Sequence, residues 1–91
     1  MSNEDILKIL KTDLQISATQ YDNFLEKLIL RAKDAISTEG IVLGDSVEDG
    51  MLVEAYAAYL YRKRKEENVA MPRSLRYELN NRLISQKAKV E

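Results

Sequence analysis

The chain lacks both cysteine and histidine. Their absence excludes disulfides and thiol catalysis, and it removes the usual zinc ligands and the commonest general base. The 91 residues also include only one proline, three glycines and no tryptophan, with neither a glycine-rich phosphate loop nor an EF-hand spacing. The serines have no histidine to activate them, and adjacent carboxylates stand at predicted helix starts, where capping explains them. We therefore expect no enzyme, no catalytic residue, no cofactor and no metal site.

The net charge is only −1, but the two halves of the chain differ. Residues 1–50 carry five basic and ten acidic side chains, a charge of −5, and residues 51–91 carry nine basic and five acidic ones, a charge of +4. Such asymmetry suits head-to-tail contact between copies, or a basic end that meets an acidic partner. A chance division of a solvated surface explains it equally well.

The composition indicates one globular domain, because 45% of the residues are apolar and 32% are charged. Glu4 and Asp5 stand where a signal peptide has basic residues. No apolar run reaches membrane-spanning length. We expect synthesis inside the cell and no association with a membrane.

Apolar residues recur at spacings of three and four along most of the chain, which is typical of amphipathic helices. The pattern predicts an all-α fold: a small bundle of about four helices with a long central helix and a C-terminal helix. The predicted helices cover about 3–13, 18–38, 47–67 and 72–86 of a single domain, residues 1–91.

Capping residues mark the predicted boundaries. Three helix starts carry a serine and, three residues later, a residue that can complete a cap: Ser2 with Asp5, Ser17 with Gln20, and Ser46 with Asp49. Gly40 suits the left-handed position after the second helix, and Pro72 suits the first turn of the fourth. Residues 41–43 are predicted to be a loop that plugs the bundle, with a short strand as the lesser option. Residues after Gln86 are expected to fray.

The predicted core consists of large apolar side chains on the inward faces of the last three helices. Its members are Phe24, Leu25, Leu28, Ile29, Leu52, Tyr56, Tyr59, Leu60, Leu75, Leu79 and Leu83. Three alanines of the third helix, at 55, 57 and 58, point elsewhere and should let neighbouring helices approach closely.

The third helix changes abruptly from apolar to basic. Met51–Tyr61 holds a single charge, Glu54, and Arg62–Lys65 follows directly. The basic side chains could bind phosphate or an acidic protein surface. They could equally complement the helix macrodipole and pair with the glutamates that follow. Tyr61 is the aromatic residue of this helix that we expect to make an outer contact.

The fourth predicted helix has two faces. Tyr77 and Ile84 lie seven residues apart on the side opposite its leucines, with Asn81 between them. Isolated exposed apolar residues are ordinary, but two in register on a polar face suggest contact with another chain. The candidate interface with other subunits or partners comprises Tyr61, Arg62, Arg64, Arg73, Tyr77, Asn81 and Ile84.

The third and fourth helices also have helix-turn-helix proportions. In that interpretation the side chains that could contact bases are Arg73, Ser74, Tyr77, Asn80 and Asn81. Sequence-specific DNA-binding domains are usually basic overall, whereas the N-terminal half of this chain is acidic and would repel DNA. A small DNA-binding regulator is therefore the alternative hypothesis rather than the first.

Residues 56–65 read Tyr-Ala-Ala-Tyr-Leu-Tyr-Arg-Lys-Arg-Lys, and residues 71–83 read Met-Pro-Arg-Ser-Leu-Arg-Tyr-Glu-Leu-Asn-Asn-Arg-Leu. These two segments resemble the small head–tail connector (adaptor) proteins of tailed bacteriophages. The first half is consistent with the resemblance, since a short leucine-rich helix and the step at residues 13–16 precede a long amphipathic helix at residues 21–36.

The resemblance implies a structural virion protein of the phage neck, made in the cytoplasm of the host bacterium. Its helical subunits would assemble into a ring of about twelve copies that docks on the portal protein and joins the DNA-filled head to the tail. Further neck or tail proteins would bind below, and DNA would pass through the channel without specific binding. By position, residues from Arg73 onward would be candidates for the contact with the portal.

Overall fold

Four α-helices build the protein, whose computed structural model describes residues 1–66 and 68–90, with side chains of 88–90 excepted. The helices are α1 (Asn3–Leu14), α2 (Asp22–Thr38), α3 (Val47–Lys65) and α4 (Arg73–Val90), and a 3₁₀ turn (Thr19–Tyr21) leads into α2. The described residues contain no strand. The prediction of a small all-α bundle is confirmed.

Two of the three predicted capping pairs form at helix starts. The Ser2 hydroxyl accepts a hydrogen bond from the Asp5 N–H at 3.2 Å, and the Ser46 hydroxyl accepts one from the Asp49 N–H at 3.0 Å. The prediction of a cap by Ser17 with Gln20 is wrong. There the chain first makes the 3₁₀ turn, which follows Ala18 with no side-chain cap, and α2 itself begins only at Asp22.

Left-handed residues end the first two helices. Gln15 has φ 58° after α1. Gly40 has φ 101° after α2, which is the left-handed conformation that the sequence predicts for this glycine. Beyond Gly40 the chain returns toward the bundle, and the Ile41 N–H donates to the Ile36 carbonyl at 3.4 Å. Residues 41–43 are a loop rather than a strand, and Ile41 is only 1% exposed, so this loop closes one end of the core as expected.

Both helices of the second half have ends that differ from the prediction. α3 ends at Lys65, and Glu66 is already extended; Glu67, the predicted last residue, lies outside the described residues. α4 begins at Arg73, whose preceding residue, Pro72, supplies the first accepting carbonyl. α4 continues to Val90, beyond its predicted end at Gln86, and residues 87–90 include neither glycine nor proline to stop it.

The core lies where α3 crosses α1 and α2, which are its main neighbours. The buried apolar side chains are Ile6, Leu10, Leu25, Leu28, Ile29, Ala32, Ile36, Ile41, Leu52, Val53, Ala57, Ala58, Leu75 and Leu79. Ala57 and Ala58 are 0% and 1% exposed, so small side chains do bring neighbouring helices close to α3. Five predicted core residues are only half-buried around this centre: Phe24, Tyr56, Tyr59, Leu60 and Leu83.

α4 lies against the bundle through a leucine stripe. Leu75 and Leu79 are buried, and Leu83 lies over Gly40, with its Cδ2 3.5 Å from the point that a Cβ at this glycine would occupy. No described helix is both long enough and apolar enough to cross a lipid bilayer.

Polar contacts fix α4 to the segment between α2 and α3. Arg76 pairs with Glu39, and Arg82 pairs with Asp49. The Gln86 side-chain amide donates to the Val42 carbonyl and accepts from the Val42 N–H, both at 2.9 Å.

Replacing Leu79 with alanine should lower the free energy of unfolding by about 2–4 kcal/mol, because Leu79 is fully buried and the shorter side chain leaves a cavity. The matched control is Leu30→Ala on α2, where the leucine is 56% exposed and the loss should stay within about 0.5 kcal/mol. Urea denaturation followed by circular dichroism measures both values. Equal losses in the two variants would contradict the placement of α4 on the bundle.

Candidate interaction surfaces

The outer face of α4 is the clearest candidate for an interaction surface, because its side chains face solvent. At 100° per residue, six exposed residues share this side of the helix: Arg73, Tyr77, Asn80, Asn81, Ile84 and Lys87. Tyr77 is 69% exposed and Ile84 is 68% exposed. The two apolar side chains lie at the centre, amides lie beside them, and one cation stands toward each end. An apolar centre with a polar rim is typical of protein–protein contacts.

The basic end of α3 is engaged by the chain itself. The guanidinium of Arg64 lies 4.4 Å from the centre of the Phe24 ring, and Lys63 Nζ lies 5.8 Å from that of Tyr59. Arg62 Nη2 lies 3.5 Å from the Asp13 carboxylate. These cation–π and ionic contacts are individually weak. Together they give the exposed basic side chains partners within the chain, and these partners are aromatic rings and Asp13, which the helix-end interpretation did not include.

The position of Tyr61 on α3 predicts a side chain on the outside of the helix. In the structure, Tyr61 does not stand free there. It is half-buried, and its ring centre lies 6.5 Å from that of Phe24. The start of α2 therefore lies beside the end of α3 and covers this side. Lys65 Nζ lies 4.9 Å from the centre of the same ring, so Tyr61 packs within the chain and is only partly accessible.

An acidic cleft, which sequence reasoning did not identify, lies where α1, α3 and the start of α4 meet. Its cavity of about 230 Å³ is lined by three carboxylates and one guanidinium. The carboxylates are Asp13 of α1, Glu54 of α3 and Glu78 of α4, and the guanidinium belongs to Arg62. The only sequence signal was the single charge of Glu54 within an apolar run.

Glu54 is the unusual group of the acidic cleft. Its side chain is only 6% exposed, and Oε2 has no hydrogen-bond partner among the residues that the structure describes. Burial, together with a hydrogen bond to Asp13 and the negative charge of that carboxyl, raises the pKa of Glu54 to about 7, against a smaller opposite effect of Arg62. Near neutral pH this carboxyl is poised between its two protonation states.

A larger cavity, of about 590 Å³, lies at the other end of the bundle beside the 40–45 loop and the start of α3. Two of its charged side chains, Lys33 and Asp49, already have partners. The Lys33 ammonium donates to Asn3, and the Asp49 carboxylate accepts from the Gly44 N–H at 2.6 Å and pairs with Arg82. Burial raises the pKa of Asp49, but these bonds outweigh it and hold the pKa below its usual value. This cavity is therefore a weaker candidate than the acidic cleft.

The Glu54 carboxyl should make stability depend on pH. Its pKa is raised on folding, so the folded state binds the proton more tightly, and stability falls as pH rises from about 4.5 through about 7. Glu54→Gln removes this titration. Relative to the glutamine variant, the wild type should lose about 1–3 kcal/mol between pH 5 and pH 8.

Urea denaturation at pH 5, 6.5 and 8 measures the difference. The matched control is Glu26→Gln, at an exposed position of α2, which should leave the pH profile unchanged. A constant difference between wild type and Glu54→Gln over this range would contradict the proposed titration.

Comparison with known proteins identified no relative: no family model, no curated protein and no solved structure matches this chain.

Proposed function

We propose that this chain is a structural protein of a tailed-bacteriophage neck, located in the virion between capsid and tail. Its copies form a ring of about twelve that docks on the portal protein, continues the DNA channel and carries further neck or tail proteins below. The proposal begins from the resemblance of residues 56–65 and 71–83 to head–tail connector proteins.

The observation that carries the proposal is the outer face of α4. Tyr77 and Ile84 are large apolar side chains exposed on one side of a helix whose other side is anchored to the bundle. Exposed apolar side chains that share a polar-rimmed face are typical of sites for another protein. A subunit whose task is assembly needs such a face.

The basic side chains support assembly over DNA recognition. Those at the end of α3 contact aromatic rings and a carboxylate of their own chain. Among the side chains that the structure describes, the outer face of α4 offers two cations, Arg73 and Lys87. Few free cations give weak attraction to phosphates, which suits a channel through which DNA must slide.

The alternative function, a helix-turn-helix regulator, is favoured by one arrangement. Arg73, Asn80 and Asn81 share the exposed outer face of α4, where a recognition helix would carry its base-contacting side chains. Two observations count against the regulator. The exposed side chains of Tyr77 and Ile84 occupy the middle of that face, and the N-terminal half carries a charge of −5. DNA binding and assembly therefore need separate tests.

The double change Tyr77→Ala with Ile84→Ser should impair assembly while leaving the free energy of unfolding within about 1 kcal/mol, since both side chains are exposed. Sedimentation velocity and negative-stain images, with and without portal-bearing capsids, measure assembly. Leu30→Ser, at an exposed position on α2, is the matched control and should assemble like the wild type. Unimpaired addition of the double variant to capsids would count against α4 as the contact surface.

DNA binding at physiological salt should be weak and indifferent to sequence, and Arg73→Ala or Asn80→Ala should change it little. Titration of labelled duplexes at several salt concentrations measures affinity and slope. Each phosphate contact contributes about 0.9 to the slope of log affinity against log salt, so we expect a shallow slope. Sub-micromolar, sequence-selective binding that is lost on Arg73→Ala would overturn the connector proposal and establish the regulator.

A further inference from the structure

We propose that the acidic cleft between α1, α3 and α4 binds an organic cation, an ammonium or guanidinium group, through the carboxylates of Glu54, Asp13 and Glu78. This inference concerns a surface other than the outer face of α4 and does not depend on the proposed function.

The charge of the acidic cleft is unbalanced. Among the described residues that line it, three carry carboxylates and Arg62 is the single cation. Arg62 pairs with Asp13, with 3.5 Å between Nη2 and the carboxylate oxygen, and about half of the Arg62 side chain is exposed. Glu78 lies 3.9 Å from Arg82 of its own helix and is itself about half exposed. With all three carboxyls ionised, the cleft has an excess of negative charge that a second cation would reduce.

Glu54 provides the second and independent indication of a ligand. Its side chain is more than nine-tenths buried, it lines the cavity, and Oε2 has no hydrogen-bond partner within residues 1–66 and 68–90. A buried polar atom without a partner destabilises the fold, and more so when it is charged. A bound N–H donor that reached the Glu54 carboxylate would reduce that destabilisation.

The geometry favours an organic cation over a metal ion. No group of three acidic side chains in the described part of the chain converges closely enough to hold a metal. The cleft carboxylates instead come from three different helices around a cavity of about 230 Å³. An ammonium carries three N–H donors and a guanidinium five, so either can reach oxygens on separate walls.

Protonation of Glu54 should control binding. Groups that face it are Asp13 from α1, Arg62 from α3 and Glu78 from α4, and Lys8 of α1 lines the shallow groove on its other side. The raised pKa of Glu54 means that an entering cation must displace a proton near neutral pH. Affinity should therefore rise as pH increases through about 7 and then level off.

The test is a titration of the ¹⁵N-labelled chain with methylguanidinium at pH 8 and low salt. It uses a protein concentration at which sedimentation shows a monomer. Saturable shifts should appear at the amides of the cleft residues. Glu54→Gln should weaken binding at least about tenfold, and its affinity should no longer depend on pH between 5.5 and 8. Glu26→Gln, on the exposed side of α2, is the control and should bind like the wild type.

Glu78→Gln, at an exposed position of α4, keeps the test independent of any effect of Glu54 on folding, and it should also weaken binding. The occupant is then identified by adding methylguanidinium to concentrated protein. Dissociation of oligomers assigns the cleft to a basic side chain of a second copy. Unchanged association, with saturable binding of putrescine, assigns it to free small cations. The proposal is overturned if the monomer shows no saturable binding at pH 8, or if Glu54→Gln binds as tightly as the wild type.

Discussion

The arrangement of this protein depends on how α4 is fixed to the segment between α2 and α3. Leu75 and Leu79 bury one stripe of α4, but the orientation of the helix is set by polar contacts to that connecting segment. The Gln86 amide binds both backbone polar groups of Val42, as a neighbouring strand would, and Leu83 covers Gly40.

Because α4 contacts the bundle over a narrow stripe, these contacts decide which side of the helix faces solvent. The exposed positions of Tyr77 and Ile84 follow from this anchoring.

Asp49 connects three parts of the fold. Its N–H binds the Ser46 hydroxyl at the start of α3, its carboxylate accepts from the Gly44 N–H, and the same carboxylate pairs with Arg82 of α4. The pKa of Asp49 is below its usual value because these bonds outweigh its burial. Its stabilising effect is therefore present above the ordinary pKa of an aspartate and is lost as pH falls through the lowered one. The pKa of Glu54, on the same helix, is raised instead, because hydrogen-bond donors do not compensate for the burial of its carboxyl.

The amphipathic pattern predicted the helices and the two faces of α4, because side-chain direction on a helix follows from residue spacing alone. The sequence did not indicate that Ser17 fails as a cap, since a 3₁₀ turn and a first helical turn have similar composition. The contact of Tyr61 with Phe24 depends on how α2 lies beside α3, which spacing within one helix does not specify. The burial of Glu54 could not be predicted either, because the position of one carboxylate in an apolar run does not show which helices pack over it.

The proposed ring would place a requirement on the surfaces of every subunit. A two-fold dimer uses one self-complementary surface, whereas a ring needs two different surfaces on every subunit. The outer face of α4 is apolar with a cation toward each end, and the acidic cleft has an excess of carboxylates. These surfaces differ in character and lie on different sides of α4, because Glu78 points about 100° away from Tyr77. Opposite charges favour contact between unlike surfaces and disfavour contact between like ones. This arrangement would therefore suit the proposed head-to-tail association better than a symmetric pair.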